Sequence, residues 1–237
     1  MTAYRPVGML GANPIPTGWY ANLTESDAAP RSVRTGSRQK LLDAAISLVR
    51  EKGYAATSVD QVCERAGVTK GAFFHYFKSK DALAVAAASC WSEGSNAVFA
   101  SAPYQAHGDP LDRILGHLEF RKAMLSGKLQ EITCLAGTMV QEVYTSHPDI
   151  ARECAASIYD RAAEMEKDIE AAMKQHRIRA QWTAASLALH MQAVVQGAII
   201  LAKAKGGVDV AIETLDHLRR YVELLFRKDR RRGATRP

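Results

Sequence analysis

The chain has 237 residues, 47% hydrophobic and 24% charged, with a formal net charge of +6. This is the balance of a soluble globular protein, and abundant alanine with few β-branched residues favours helix over sheet. No apolar run approaches the roughly 20 residues of a membrane helix, and the N-terminus lacks the basic start and apolar stretch of a secretory signal, so a cytoplasmic protein with no membrane partner is expected.

The charge is unevenly placed. Residues 31–80 hold ten Lys/Arg against four Asp/Glu, whereas residues 81–226 hold fourteen against eighteen. A basic N-terminal third on a mildly acidic body is the distribution expected when one end meets nucleic acid. The four cysteines, Cys63, Cys90, Cys134 and Cys154, form no CxxC pair and match no zinc spacing, so free thiols and no metal or cofactor are expected.

In chain order, residues 1–36 hold Pro6, Pro14, Pro16 and Pro30 and no helical period, and read as a flexible arm. A helix begins near Ser37, with Leu41, Leu42, Ala45, Leu48 and Val49 as its apolar stripe, and Gly53 stops it. Thr57 is expected to cap a short second helix that buries Val59, Val62 and Cys63 and ends at Gly67. Thr69 caps a third, from Lys70 to about Phe77. Helix, tight glycine-containing turn, helix is the signature of a helix-turn-helix.

The third helix, within "GVTKGAFFHYFKSKDAL", suits a recognition helix. Phe73 and Phe77 lie four apart and take the buried side. Thr69, Lys70, Gly71, Phe74, His75 and Tyr76 are left for a DNA duplex, with Gly71 allowing close backbone approach. Tyr76 also suits packing. Thr57 and Lys80, each near a helix start, are candidates for phosphate contact. Arg31, Arg34 and Arg38 suit either a groove-reaching arm or a solubilising tail.

Residues 83–227 read as a larger helical domain and 228–237 as a basic tail. Amphipathic helices are expected near 79–101, 110–126, 131–145, 148–176, 182–204 and 208–227, punctuated by Pro103, Pro110, Pro148 and Gly206-Gly207. Trp91, Tyr104, His117, Met139, Tyr144, Trp182 and His190 are candidates for a ligand pocket, although such residues at helical spacing also serve as plain core. Cys134 is the candidate sensing thiol, because it falls in the first turn of the helix expected at 131–145, and Cys154 is its candidate resolving partner.

The segment "RQKLLDAAISLVREKGYAATSVDQVCERAGVTKGAFFHYFKSKDAL", residues 38–83, resembles the DNA-binding domain of the TetR/AcrR transcriptional regulators without a gap. The resemblance implies an all-α homodimer of about nine helices. Residues 37–82 would be the helix-turn-helix domain, with helix three in a major groove. The body would bind a small-molecule effector and dimerise through its last two helices. Tyrosine is frequent in the family at the position of Phe74, where its hydroxyl contacts phosphate; Phe74 cannot make that bond. A second, shorter stretch, "ITCLAGTMVQEVYTSHPDIARECAASI", residues 132–158, is similar to a segment of family members that sense electrophiles or oxidants through a cysteine at the position of Cys134. The expected function is a repressor released from double-stranded DNA by an effector. An activator, or a DNA binder without effector, is the alternative. No Ser/His/Asp arrangement, phosphate loop or metal cluster points to an enzyme.

Overall fold

The computed structural model describes residues 36–227. The arm up to Thr35, with Arg31 and Arg34, and the tail 228–237 lie outside the described residues. Among those described, the regular elements are all helical: α1 (Ser37–Lys52), α2 (Val59–Ala66), α3 (Lys70–Tyr76), α4 (Lys80–Ala100), a 3-10 turn (Pro103–Ala106), α5 (Pro110–Ala123), α6 (Leu129–Ile132), α7 (Leu135–Val143), α8 (Pro148–Gln175), α9 (Ala184–Lys205) and α10 (Asp209–Leu225).

The first three helices share a core of Leu41, Leu42, Leu48, Val62, Phe73 and Phe77, completed by Leu83 and Ala87 from α4. From the adjoining side of the same helix, α4 gives Ala84, Ala88 and Trp91 to a second core with Leu135, Met139, Ile150 and Cys154 from α7 and α8. A boundary at 82/83 therefore falls inside α4, which runs unbroken from one core into the next. The largest core joins α5, α8, α9 and α10 around Ile114, Ile169, Met191, Leu215 and Val222.

Local signals set the helix ends. Gly67 adopts φ +63° and ψ +38° after α2, the left-handed turn that glycine makes without strain. Asp109 accepts from the Leu111 N–H, with Pro110 opening α5. The cap of α2 differs from expectation. Ser58, not Thr57, accepts from the Gln61 N–H, and Gln61 answers to the Ser58 N–H in a reciprocal box. Thr57 is 4% exposed, and its hydroxyl donates to the Gly53 carbonyl at 2.7 Å.

The helix expected at 131–145 is two helices. Thr133 and Cys134 are extended between α6 and α7, and Cys134 is the N-cap of α7 rather than part of a first turn. The α9 helix also departs from the reading of the apolar runs. By length and composition it is apolar enough to cross a membrane, with a mean hydropathy of 1.6. Its inner side, with Leu187, Met191, Val195 and Ala202, sits in the main core. Its outer side exposes Leu189, Ile200 and Leu201, and α10 exposes Tyr221 and Leu224.

Candidate nucleic-acid interface and ligand cavity

Two aromatic side chains anchor α3. Phe73 is fully buried and Phe77 is 5% exposed, so the opposite side of this short helix faces outward. Phe74 is 54% exposed and Tyr76 42%, large values for aromatic rings, and His75 and Gly71 are exposed with them. Phe74 packs edge-on against Phe73 at 5.1 Å, and His75 against Tyr76 at 4.8 Å, which steadies the outward rings. A side chain at Gly71 would meet nothing nearer than the Thr69 Oγ1 at 3.9 Å, so its surface is open. Thr69 caps the helix by accepting from the Ala72 N–H at 3.1 Å.

Cations surround this face. Lys70 is exposed and pairs with Asp60 of α2 at 2.8 Å, which raises its pKa. Exposed Arg38 rests its guanidinium 5.6 Å from the Phe77 ring. Lys80 places its ammonium 4.0 Å over the Tyr54 ring, and its pKa is lowered chiefly by burial. Ser58 and Lys78, both exposed, were not among the expected contacts. The first holds the helix N-terminus assigned to Thr57, and the second lies in the same "KSK" run as Lys80, so both carried a signal.

The larger part of the chain encloses a cavity of about 60 Å³ between α4, α5, α8, α9 and α10. Its apolar wall includes Trp91, Met124, Ile132 and Val195, and Cys134 and Glu131 lie at the break between α6 and α7. Trp91 and Cys134 thus line the space together. The other pocket candidates in the expected site do not line it. Met139 is fully buried in the core between α4, α7 and α8. Tyr144 is 69% exposed. His190 lies on the outer side of α9, against Tyr221 at 5.4 Å.

His117 is buried behind the cavity. Its ring stacks on Phe99 at 5.2 Å, Nδ1 lies 3.2 Å from the Tyr104 hydroxyl, and Arg121 Nε donates to Nε2 at 3.4 Å. Burial holds its pKa well below the ordinary value, and the charges of Arg121 and Arg161 push it the same way. The folded form therefore keeps a neutral ring where the unfolded chain takes up a proton below roughly pH 6.5. Stability from this group is full above that pH and falls as pH drops through it, by on the order of 1 kcal/mol per pH unit while the folded ring stays neutral. Urea unfolding at pH 7.5 and 5.5 should show that loss, and His117→Gln should lose that much less on acidification.

Cys134 Sγ accepts from the Gly137 N–H and from Gln196 Nε2, each at 3.4 Å. Lys203 of α9, whose pKa burial lowers, donates to Thr138 of α7 at 3.2 Å. Cys154 is fully buried, and burial pushes its thiol up to about 12. A thiol so held is protonated at neutral pH, which counts against a resolving role. Among the described residues no cluster of His, Cys, Asp or Glu could hold a metal ion.

One side chain joins the two regions. Arg50, near the end of α1 and 8% exposed, donates to the carbonyls of Thr133, at 2.8 Å, and Glu131. Its guanidinium lies 4.7 Å from the Trp91 ring. A second joint runs from Glu142 of α7, which accepts from the Tyr54 and Ala55 N–H groups between α1 and α2.

An outward aromatic and basic helix on a three-helix unit, backed by a helical body with a cavity, defines a helix-turn-helix DNA-binding regulator. The comparisons agree. Residues 41–87 match the model described as bacterial regulatory proteins, tetR family, and residues 110–220 the tetracyclin repressor-like C-terminal domain. The chain belongs to the TetR family of transcriptional regulators. It is 51% identical over 45 residues to the transposon Tn10 TetC protein of Escherichia coli, covering 19% of this chain and 23% of that one. It is 36% identical over 61 residues to the transcriptional repressor KstR2 of Rhodococcus jostii, covering 26% and 30%. These alignments span less than a third of either relative. Likeness of fold extends further. The reduced form of E. coli NemR superposes with a TM-score of 0.68 at 22% identity, over 78% of this chain and 96% of that one. A regulator from Chloroflexus aurantiacus gives 0.71 at 23%, over 79% and 94%.

Proposed function

We propose that this chain is a cytoplasmic, homodimeric repressor that holds a palindromic operator and lets go when an effector acts at its cavity. In this reading the exposed face of α3 enters the major groove. Lys70, His75, Tyr76 and Thr69 meet the duplex, Phe74 meets a thymine methyl or sugar, and Ser58, Lys78, Lys80 and Arg38 serve phosphates. The dimer would form through the outer sides of α9 and α10.

The observation that carries the regulatory part is the Arg50 joint. Arg50 belongs to the DNA-reading unit, yet it is bonded to the Glu131 and Thr133 carbonyls and touches Trp91. Glu131, Trp91 and the intervening Cys134 line the cavity. A ligand or a modified thiol that shifts the α6–α7 break therefore moves the acceptors of Arg50, and with them α1. The effector acts by favouring an arrangement in which the two recognition helices no longer match successive major grooves, roughly 34–36 Å apart.

Cys134 is the residue through which a thiol-reactive effector would act. The test uses an operator selected from random DNA and follows its binding by anisotropy. Hypochlorite or an electrophile should weaken binding by wild type and by Cys63→Ser. The Cys134→Ser variant should bind normally and ignore the reagent, because serine keeps the shape without the nucleophile. If it responds as wild type does, the thiol is not the sensor. A reversible ligand in the cavity is then the effector.

A further inference from the structure

Side chains of the body and of the DNA-reading unit also meet at the α7–α8 turn. His147, the residue before α8, sets its ring edge-on to Tyr54 at 5.3 Å, and its Nε2 lies 3.9 Å from Asp81 Oδ1. Its Nδ1 is 2.8 Å from the Ser146 hydroxyl. The same Asp81 oxygen accepts from the Tyr54 hydroxyl, whose pKa is raised by burial and by Asp81, so the phenol keeps its proton. On the Tyr54 ring rests the ammonium of Lys80, 4.0 Å from the centroid. The other charged groups on the elements packed here are Glu142 of α7, which accepts from the Tyr54 N–H, and Asp149 of α8, which pairs with Arg152. The His147 side chain accepts no N–H as a cap of α8, so its contacts run outward, to the reading unit.

We infer that His147 is a positioning residue for operator phosphate: as an imidazolium it pairs with Asp81 and offsets that carboxylate beside Lys80, so operator binding tightens in mildly acidic medium. The inference rests on the assignment of Lys80 to phosphate above. Asp81 lies in the first turn of α4, where a negative charge suits the helix N-terminus. Its side chain is 57% exposed. Beside an ammonium that faces phosphate, that charge repels the duplex. A neutral His147 leaves the repulsion in place, and histidine is the side chain whose charge changes between about pH 5 and 8. In the imidazolium both nitrogens donate, Nδ1–H to the Ser146 oxygen and Nε2–H toward Asp81, so both partners suit the charged form. Asp81 and Glu142 favour that form, while Lys80 and the N-terminus of α8 oppose it. The Tyr54 hydroxyl stays on Asp81 in either state, which keeps the carboxylate in reach of the ring.

The experiment measures operator affinity by anisotropy at pH 7.5 and 6.0, at one low salt concentration, on the full chain. Wild type, His147→Gln, Asp81→Asn and His75→Gln are compared, each checked as folded by circular dichroism. Wild type should bind about threefold or more tightly at pH 6.0, the scale of one exposed ion pair in each subunit of a dimer. His147→Gln removes the titrating group. Asp81→Asn keeps an oxygen for the Tyr54 hydroxyl and removes the charge. Both should lose most of the gain, and Asp81→Asn should already bind more tightly than wild type at pH 7.5. A merely structural role for either residue would leave the pH profile unmoved. His75→Gln, on the recognition helix, should keep a gain that His147→Gln lacks. If Asp81→Asn misfolds, His147→Gln decides the test. An equal gain in wild type and His147→Gln, a gain lost only in His75→Gln, or no gain in wild type overturns the inference. A chain that selects no operator at pH 7.5 overturns the phosphate role of Lys80 and this inference with it.

Discussion

Raising salt from about 50 to about 200 mM should weaken operator binding by roughly 10³-fold or more, as expected for a dimer that neutralises six or more phosphates. The expectation rests on where the charge sits. Residues 31–80 carry ten basic against four acidic side chains, and the exposed cations Arg38, Lys70 and Lys78 lie on or beside the outward face of α3. Lys70 contributes least per charge, because Asp60 at 2.8 Å already partners it. Lys78→Ala should lower the slope of log affinity against log salt by about 1 per subunit. Fluorescence titrations of the selected operator at four salt concentrations measure it. A flat response would remove α3 as a DNA-reading element.

The second large effect concerns assembly. A charge on the outer side of α9 or α10, as in Ile200→Glu or Tyr221→Glu, should yield a folded monomer with operator affinity reduced about 10³-fold or more, toward the non-specific level. Ile200 is 47% exposed and Tyr221 43%, so a carboxylate at either position can reach water in the folded monomer. Together with Leu189, Leu201 and Leu224 they form the apolar surface that a second copy would cover. Leu218 and Val222 lie on the other side of α10, 3% and 0% exposed, inside the main core. Leu218→Glu or Val222→Glu would bury an unpaired charge and unfold the chain instead of splitting a dimer. Sedimentation with circular dichroism separates the two outcomes. A dimer that survives Ile200→Glu and Tyr221→Glu places the interface elsewhere.

That contrast shows what was legible in the sequence and what was not. The helix expected at 208–227 was readable, because 3.6-residue periodicity reports which positions are apolar. It does not report whether they face their own chain or another, and α10 buries Leu218 while exposing Leu224. The helix-turn-helix was readable almost to the residue, since capping and turn chemistry are local: Thr69, Gly67 and Ser79 sit where short-range rules put them. Thr57 misled because two adjacent hydroxyl residues precede α2, and only the fold shows that one is turned inward to Gly53. The cavity was the least legible part. Trp91 and Cys134 reach it from separate elements, and Arg121 and Arg161, which no sequence motif marks, line it with them. Their placement depends on the packing of α5 against α8, which no local pattern encodes.

The joint at Arg50 also bears on how such regulators can be recombined. Residues 37–82 look like an exchangeable cassette, since their three helices share one small core. Yet Arg50 and the turn after α1 are completed from outside, by the carbonyls of Glu131 and Thr133 and the carboxylate of Glu142. A graft that moves the cassette alone leaves those acceptors behind in the donor chain. The recipient must then supply a loop of the same geometry, or the grafted reader will bind DNA without hearing its new body. The natural unit of exchange is therefore discontinuous: the DNA-reading helices, the first turns of α4, and residues 131–142 travelling together.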